Sequence, residues 1–392
     1  MKDKRIQKDN LDSHSTVKTC SNILQNIELT LGNDMVELEI GYNIIPLVKQ
    51  WLMNRNPDKL ILVTDNTVHR LYKNKVFDVL ATALPACILP ISPGEKSKNI
   101  KTLEYLLERA VYEGVTKKTM VVSVGGGVVS NIAGMLAVLI FRGLQLVHIP
   151  TTIVAQIDAS ISRKQAVNGK YGKNLFGAWK APEAIFVDFD FLATLDNRQI
   201  RTGLAEAIKL SLIGDLAMFR RFAAFKDTEW FRNMKIMEPI LLRAIELTCA
   251  VLRLDPKEST EGMTFEIGHT IGHAIESIKE GKLTHGEAIS IGMVIEARMS
   301  MLKGIATSTL PSQIEHTLKN INLPTQLPDD ISTEQIIGTL QYDNKRVNNE
   351  TSFIPVKNIG QINARGPDSR CILDNDLLKR ATCGWADVKS VW

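Results

Sequence analysis

The sequence predicts an α/β protein, with an N-terminal doubly wound nucleotide-binding domain and a C-terminal, mostly α-helical metal-binding domain. Three observations carry that reading. Continuous apolar runs of strand length alternate with amphipathic helical stretches through the first half of the chain. One run ends in three glycines, Gly125, Gly126 and Gly127, where a helical pattern begins. Farther on, three of the seven histidines fall within seventeen residues.

Residues 1–22 are polar and unpatterned, and read as a flexible tail. Buried strands are predicted at Leu60–Thr64, Cys87–Ile91, Met120–Val124, Leu146–Ile149 and Ile185–Val187, with a helix over Ile100–Tyr112. Runs apolar on both faces and separated by helices belong to a parallel sheet covered on two sides. From about Arg198 long helical patterns take over, such as Pro239–Leu254 and Gly286–Met301. The boundary is therefore placed at 195. It gives a nucleotide-binding α/β domain over 23–195, a mostly α-helical domain over 196–392, and a ligand cleft between them.

Composition narrows the class. Apolar residues make up 44% of the chain and charged residues 23%, which supports a globular core. With 47 basic against 43 acidic side chains, the net charge of +4 gives no reason to expect nucleic acid. The five cysteines are scattered and form no CxxC pair, as in a reduced, cytoplasmic chain. The N-terminus lacks the apolar segment of a secretory signal, and the longest apolar run, Met135–Phe141, is too short to span a bilayer. No membrane partner is expected.

The segment VVSVGGGVVSNIAG, Val121–Gly134, passes from strand to helix through the glycines. Glycine lets backbone approach a phosphate closely, and a helix start offers free N–H groups and a positive dipole end. The pyrophosphate of a dinucleotide suits that turn; a tight turn that binds nothing is the alternative. Ser130 takes the third glycine position of the usual fingerprint, and no acid ends the next strand. Asp65 and Glu95 are the acids available for a ribose, each otherwise a turn or capping residue.

Read as one helix, FEIGHTIGHAIE (Phe265–Glu276) places Glu266, His269 and His273 on one face. Gly268 and Gly272 form a small stripe suited to close packing. His285 follows in LTHGEAI. Two histidines and a carboxylate with an open position make a catalytic zinc arrangement. The internal glutamate of HExxH is missing, which argues against a metalloprotease. Glu206 in GLAEAIKL is the best carboxylate donor; an ion pair with Lys209, three residues on, is its alternative role. Lys164, Lys173 and Asn174 lie among turn-forming residues in the stretch 158–174, and Lys345 lies in DNKR. Such lysines either solvate a loop or gather a phosphate and hydroxyls.

In chain order, TDNTV, PGEKSKN, GGGVVSNIAG, FRG, IPTT, the 158–174 stretch, GLAEAIK, FEIGHTIGHAIE and THGEA resemble the motifs of the sugar phosphate cyclases, the family founded on 3-dehydroquinate synthase. The resemblance covers residues 25–360. It implies a homodimer that binds NAD, zinc or cobalt, and a small sugar phosphate. By motif, Glu206, His269 and His285 would bind the metal. Lys164, Glu266, His273 and Lys209 would take catalytic roles. Lys173, Asn174 and Lys345 would bind substrate, and Arg142 in FRG would reach the phosphate of the partner subunit's site. Asp65, Glu95, Lys98, Gly125, Gly126, Gly127, Asn131, Thr151, Thr152, Asp158 and Thr194 would line the cofactor site.

Within the family, KQAVN at 164–168 replaces the KTGVN of dehydroquinate enzymes, and Glu266 replaces their asparagine. Gly262 stands for the arginine that meets their substrate carboxylate, and Asn131 for an aspartate. These changes imply a substrate without a carboxylate, such as glucose 6-phosphate in aminoglycoside biosynthesis. The implied cycle is transient oxidation by NAD, phosphate elimination, return of the hydride and intramolecular aldol closure. Thr248 departs from a substrate-contacting lysine, and Arg163 from a small or apolar residue. The alternatives are a 3-dehydroquinate or 2-epi-5-epi-valiolone synthase, or a metal- and NAD-dependent polyol dehydrogenase.

Overall fold

Residues 22–225, 229–343, 346, 348–362 and 370–383 are described by a computed structural model. The tail expected over 1–22 lies outside them, except for Asn22. That residue opens an antiparallel hairpin of β1 (Asn22–Leu31) and β2 (Asp34–Tyr42), which the continuous apolar runs did not announce. There follow α1 (Ile45–Arg55), β3 (Leu60–Asp65), α2 (Asn66–Tyr72), α3 (Asp78–Ala81), β4 (Ala86–Ile91), α4 (Ile100–Tyr112), β5 (Met120–Gly125), α5 (Gly127–Leu139) and β6 (Gln145–Pro150). A short hairpin of β7 (Lys164–Val167) and β8 (Phe176–Trp179) precedes β9 (Ala184–Asp188).

The large sheet has the order β1-β2-β9-β6-β5-β3-β4, parallel except for the β1–β2 pair. Each predicted strand is present and runs slightly beyond its apolar core. Side-chain alternation explains the two covered faces. Leu60 and Leu62 pack with Val48, Leu52 and Phe77 on one side, whereas Ile61 and Val63 pack with Leu106, Ile132 and Leu136 on the other.

The helical part comprises α6 (Asn197–Gly214), α7 (Leu216–Ala224), α8 (Met234–Leu254), α9 (His269–Lys279), α10 (His285–Leu302), α11 (Leu310–Lys319), α12 (Thr333–Leu340) and α13 (Asn375–Thr382). Asp196 caps the start of α6 by accepting from the Gln199 N–H. Secondary structure changes there, but the apolar core does not stop. Val36, Leu38 and Ile40 of β2 share a cluster with Leu204 and Ile208 of α6 and with Ile240 and Leu241 of α8. Among the described residues, no helix is long and apolar enough to cross a membrane.

Candidate active site

The carboxyl ends of β3, β5 and β6 open onto a cleft of about 1220 Å³ that α6, α9 and α10 close from the other side. This is where an open parallel sheet presents helix N-termini and loop backbone to a ligand.

Two helix starts deliver the histidines. Thr284 caps α10, with Glu287 completing a reciprocal capping box, so His285 occupies the first helical position. The segment read as one helix from Phe265 to Glu276 is broken. Residues Glu261–Glu266 form a 3-10 turn, Gly268 takes φ 78°, and α9 begins at His269. The cause is close packing against α10. A Cβ on Gly268 would lie 2.6 Å from Met293 Cγ, and one on Gly292 would lie 2.0 Å from the Gly268 carbonyl oxygen. Glu296 then accepts from the Gly268 and Ile271 N–H groups at 2.7 and 3.1 Å, capping the new helix. His269 and His273 share a helix, but Glu266 belongs to the preceding turn.

Glu206 is fully buried in α6. Its Oε1 lies 3.0 Å from His285 Nε2 and 3.5 Å from His269 Nε2. His269 Nδ1 is 3.0 Å from the Ile267 carbonyl, and His285 Nδ1 is 3.1 Å from Glu276 Oε2. Both of those oxygens only accept, so each Nδ1 donates and each Nε2 is left facing Glu206. Burial, then the Lys209 charge, lower His269 to about 3, which keeps its imidazole neutral. Burial opposes charge on His285, yet Glu276 and Glu206 raise it to about 9. A cation bound here would displace the proton that His285 shares with Glu206. Two imidazoles and a carboxylate are a donor set that fits zinc or cobalt. The three histidines also bring ring nitrogens within 4.8 Å of one another, so His273 is a competing third donor.

Lys173 and Lys209 are not solvated loop residues, whereas Lys164 keeps a side chain 43% exposed. Lys209 is fully buried, 2.5 Å from Glu206 and 3.6 Å from Asp158, so the ion pair exists but lies in the interior, not at the surface as its alternative role supposed. Lys164 opens β7 and stands 2.5 Å from Glu258 and 3.6 Å from Glu266. Lys173 lies 2.5 Å from Glu276 and 3.1 Å from Glu95. Lys98 donates to Asn174 Oδ1 at 2.6 Å, and burial lowers it to about 8 against the pull of Glu95.

On the sheet side, Gly126 caps α5 and lines the cleft with Gly127, Thr151 and Thr152. A Cβ on Gly126 would come 3.1 Å from Thr152 Cγ2, so glycine lets the start of α5 pass close to Thr152. Gly125 does not line the cleft; its missing Cβ makes room for Val129. Asp65 lines it and also caps α2. Glu95 accepts from Asn168 Nδ2, and Thr194 pairs with the Tyr72 hydroxyl at 2.6 Å. Asn131 ties the Gly127 carbonyl to the Ala166 N–H of β7.

Other positions fall away from the cleft. Arg142 is exposed at the far end of α5, roughly 20 Å along that helix. Thr248 is buried and donates to the Ile157 carbonyl at 2.8 Å, and Arg163 pairs with Asp34 at 2.9 Å. Lys345 lies outside the described residues. Two acids with no motif role of their own, Glu258 and Glu276, turn out to hold Lys164 and Lys173.

The 3-dehydroquinate synthase N-terminal profile matches residues 88–202 and the C-terminal profile matches 203–346. A 2-deoxy-scyllo-inosose synthase of Streptoalloteichus tenebrarius is 34% identical over 324 residues, 82% of this chain and 84% of that protein. A 3-dehydroquinate synthase of Halalkalibacterium halodurans is 33% identical over 359 residues, 91% of this chain and 95% of that protein. The crystal structure of 2-deoxy-scyllo-inosose synthase complexed with carbaglucose-6-phosphate, NAD+ and Co2+ matches with a TM-score of 0.81. It is 28% identical, and the match covers 91% of this chain and 99% of that one. The chain belongs to the 3-dehydroquinate synthase family of sugar phosphate cyclases.

Proposed function

We propose that this enzyme converts D-glucose 6-phosphate into 2-deoxy-scyllo-inosose and phosphate, with NAD and a divalent metal, zinc or cobalt, in a homodimer. The choice of substrate rests on one observation. Glu266 lines the cleft beside Lys164, whereas Gly262 is buried beneath Glu258 and does not line it. The cation at that wall, Lys164, is already paired with Glu258 and Glu266, so a carboxylate substrate would meet a further carboxylate there. A sugar hydroxyl can donate to Glu266 instead. The relatives whose names carry this activity, and the likeness to a structure holding a glucose 6-phosphate mimic, support the reading.

In this reading Glu206, His269 and His285 hold the metal, and Asp65, Glu95, Lys98, Gly126, Gly127, Asn131, Thr151, Thr152, Asp158 and Thr194 form the cofactor side, with Gly125 shaping the turn behind them. When bound, NAD supplies a transient hydride acceptor and the metal a local positive charge. Glu266 or the substrate phosphate itself takes the proton next to the departing phosphate. Lys164, Lys209 and His273 orient the hydroxyls. Lys173, Asn174 and Lys345 hold the phosphate, with Arg142 of the partner subunit beside them. Fixing both ends of an open-chain sugar is what makes its ring closure fast.

The test supplies NAD and Co2+ or Zn2+, then separately glucose 6-phosphate, sedoheptulose 7-phosphate and the heptulosonate phosphate precursor of dehydroquinate. Phosphate release from glucose 6-phosphate without NADH build-up is the expected result. Highest kcat/KM with the heptulosonate phosphate would overturn it in favour of dehydroquinate synthesis. That second reading draws support from the longer match to the Halalkalibacterium enzyme. Stoichiometric NADH without phosphate would point to a dehydrogenase.

A further inference from the structure

Glu276 touches one residue from each side of the cleft's chemistry. It lies seven residues after His269 in α9, so both face the same way. Its side chain is 7% exposed. One carboxylate oxygen, Oε2, accepts from His285 Nδ1 at 3.1 Å. The other, Oε1, accepts from Lys173 Nζ at 2.5 Å. A single buried anion thus stands behind a proposed metal ligand and behind a proposed phosphate-binding cation.

We propose that Glu276 couples a cation site to an anion site, so that a divalent metal at His285 and a phosphate group at Lys173 each strengthen the binding of the other. The inference rests on the reading in which His285 ligates the metal and Lys173 meets phosphate. A metal on Nε2 draws electron density from the ring and makes Nδ1–H a stronger donor to Glu276. The carboxylate's charge is then drawn toward His285, and Lys173 is left less neutralised. An incoming dianion finds a more available ammonium. Run in reverse, a phosphate on Lys173 releases Glu276 to support the imidazole and tightens the metal. Linkage requires the two effects to be equal in size. Direct attraction between the two ions adds to this, but it does not depend on the Glu276 charge.

Glu276→Gln separates the contributions, because it keeps the side chain's length and removes its charge. Co2+ affinity would be measured on metal-stripped protein without NAD, with free Co2+ set by a chelator buffer, with and without inorganic phosphate. In the unmodified protein phosphate should tighten Co2+ roughly fivefold or more, the lower end of ordinary coupling. E276Q should bind Co2+ roughly tenfold more weakly, as loss of an outer ligand partner does. Its phosphate effect should shrink to about twofold or less. Lys173→Met is the second variant. It leaves Glu276 wholly to His285, so Co2+ should bind at least as tightly as before, with no phosphate response. Unchanged Co2+ affinity in E276Q, a phosphate effect of full size in either variant, or weakened Co2+ binding in K173M would overturn the proposal. His285→Ala separates it from the reading beneath it. If H285A keeps tight Co2+, the ligand assignment itself fails. If H285A loses Co2+ and E276Q does not, only the role of Glu276 fails.

Discussion

The Glu258 carboxylate stands 2.5 Å from the Lys164 ammonium and is itself nearly inaccessible. Ser162 donates to its other oxygen at 2.9 Å, and its backbone sits in the left-handed region at φ 49°. Burial opposes charge on Lys164, but Glu258 and then Glu266 raise its pKa, so it works as a fixed cation. Gly262 belongs to the same arrangement. A Cβ there would press on Glu258 Cγ at 2.8 Å. Its glycine therefore protects the placement of Glu258.

Glu258→Gln should lower kcat/KM for the sugar phosphate roughly 10- to 100-fold, the range for losing a partner that fixes an active-site group. Gly262→Ala should give a smaller loss in the same parameter. Steady-state kinetics beside a thermal melt checks this. Wild-type kinetics in E258Q would show that Lys164 needs no such anchor.

Glu206→Ala and His269→Ala should each abolish tight metal binding and, with it, phosphate release. His273→Ala should keep the metal and lose turnover. Metal content after dialysis, set beside activity, decides between the two donor sets. Loss of metal in H273A together with its retention in E206A would assign the site to the three histidines.

Gly292→Ala should be severe, since its methyl would lie 2.0 Å from the Gly268 carbonyl oxygen. Overpacking of this kind costs about 1–3 kcal/mol or more. Here it should also shift His269 and weaken the metal. Chemical denaturation and Co2+ titration of the same variant measure both effects. A variant as stable as the parent would contradict the close crossing of α9 and α10.

His148 gives a pH dependence outside the cleft. It is buried in β6 with Nδ1 2.6 Å from Ser123 Oγ, and burial lowers it from 6.5 to about 3. Neutral when folded, it takes up a proton on unfolding between about pH 3 and 6.5. Its contribution is therefore complete above that value and is lost as pH falls toward about 3, at roughly 1.4 kcal/mol per pH unit. His148→Asn should flatten this slope between pH ~7 and ~5 in urea unfolding. An unchanged slope would remove His148 as its source.

Much of this architecture is legible in the sequence, for reasons that differ by element. The strands β3, β5, β6 and β9 are buried on both faces, so their apolar runs are continuous, whereas β4 at the sheet edge is only partly buried. The hairpin β1–β2 buries only alternate residues, a weaker signal. The break at Gly268 is invisible because spacings of three and four suit a helix, and it takes a crossing partner to force the turn. Glu258 and Glu276 resemble ordinary surface acids because their lysines lie 94 and 103 residues away along the chain. The histidines are readable as a group because the two rings that face Glu206 sit in one short stretch of chain.

The apolar cluster that passes beneath Asp196 ties the fate of the two halves together. A fragment ending at residue 195 would expose Val36, Leu38 and Ile40, and one beginning there would expose Leu204, Ile208 and Ile240. Neither piece carries a complete interior, so both should aggregate when made alone. The intact chain should melt in a single cooperative transition.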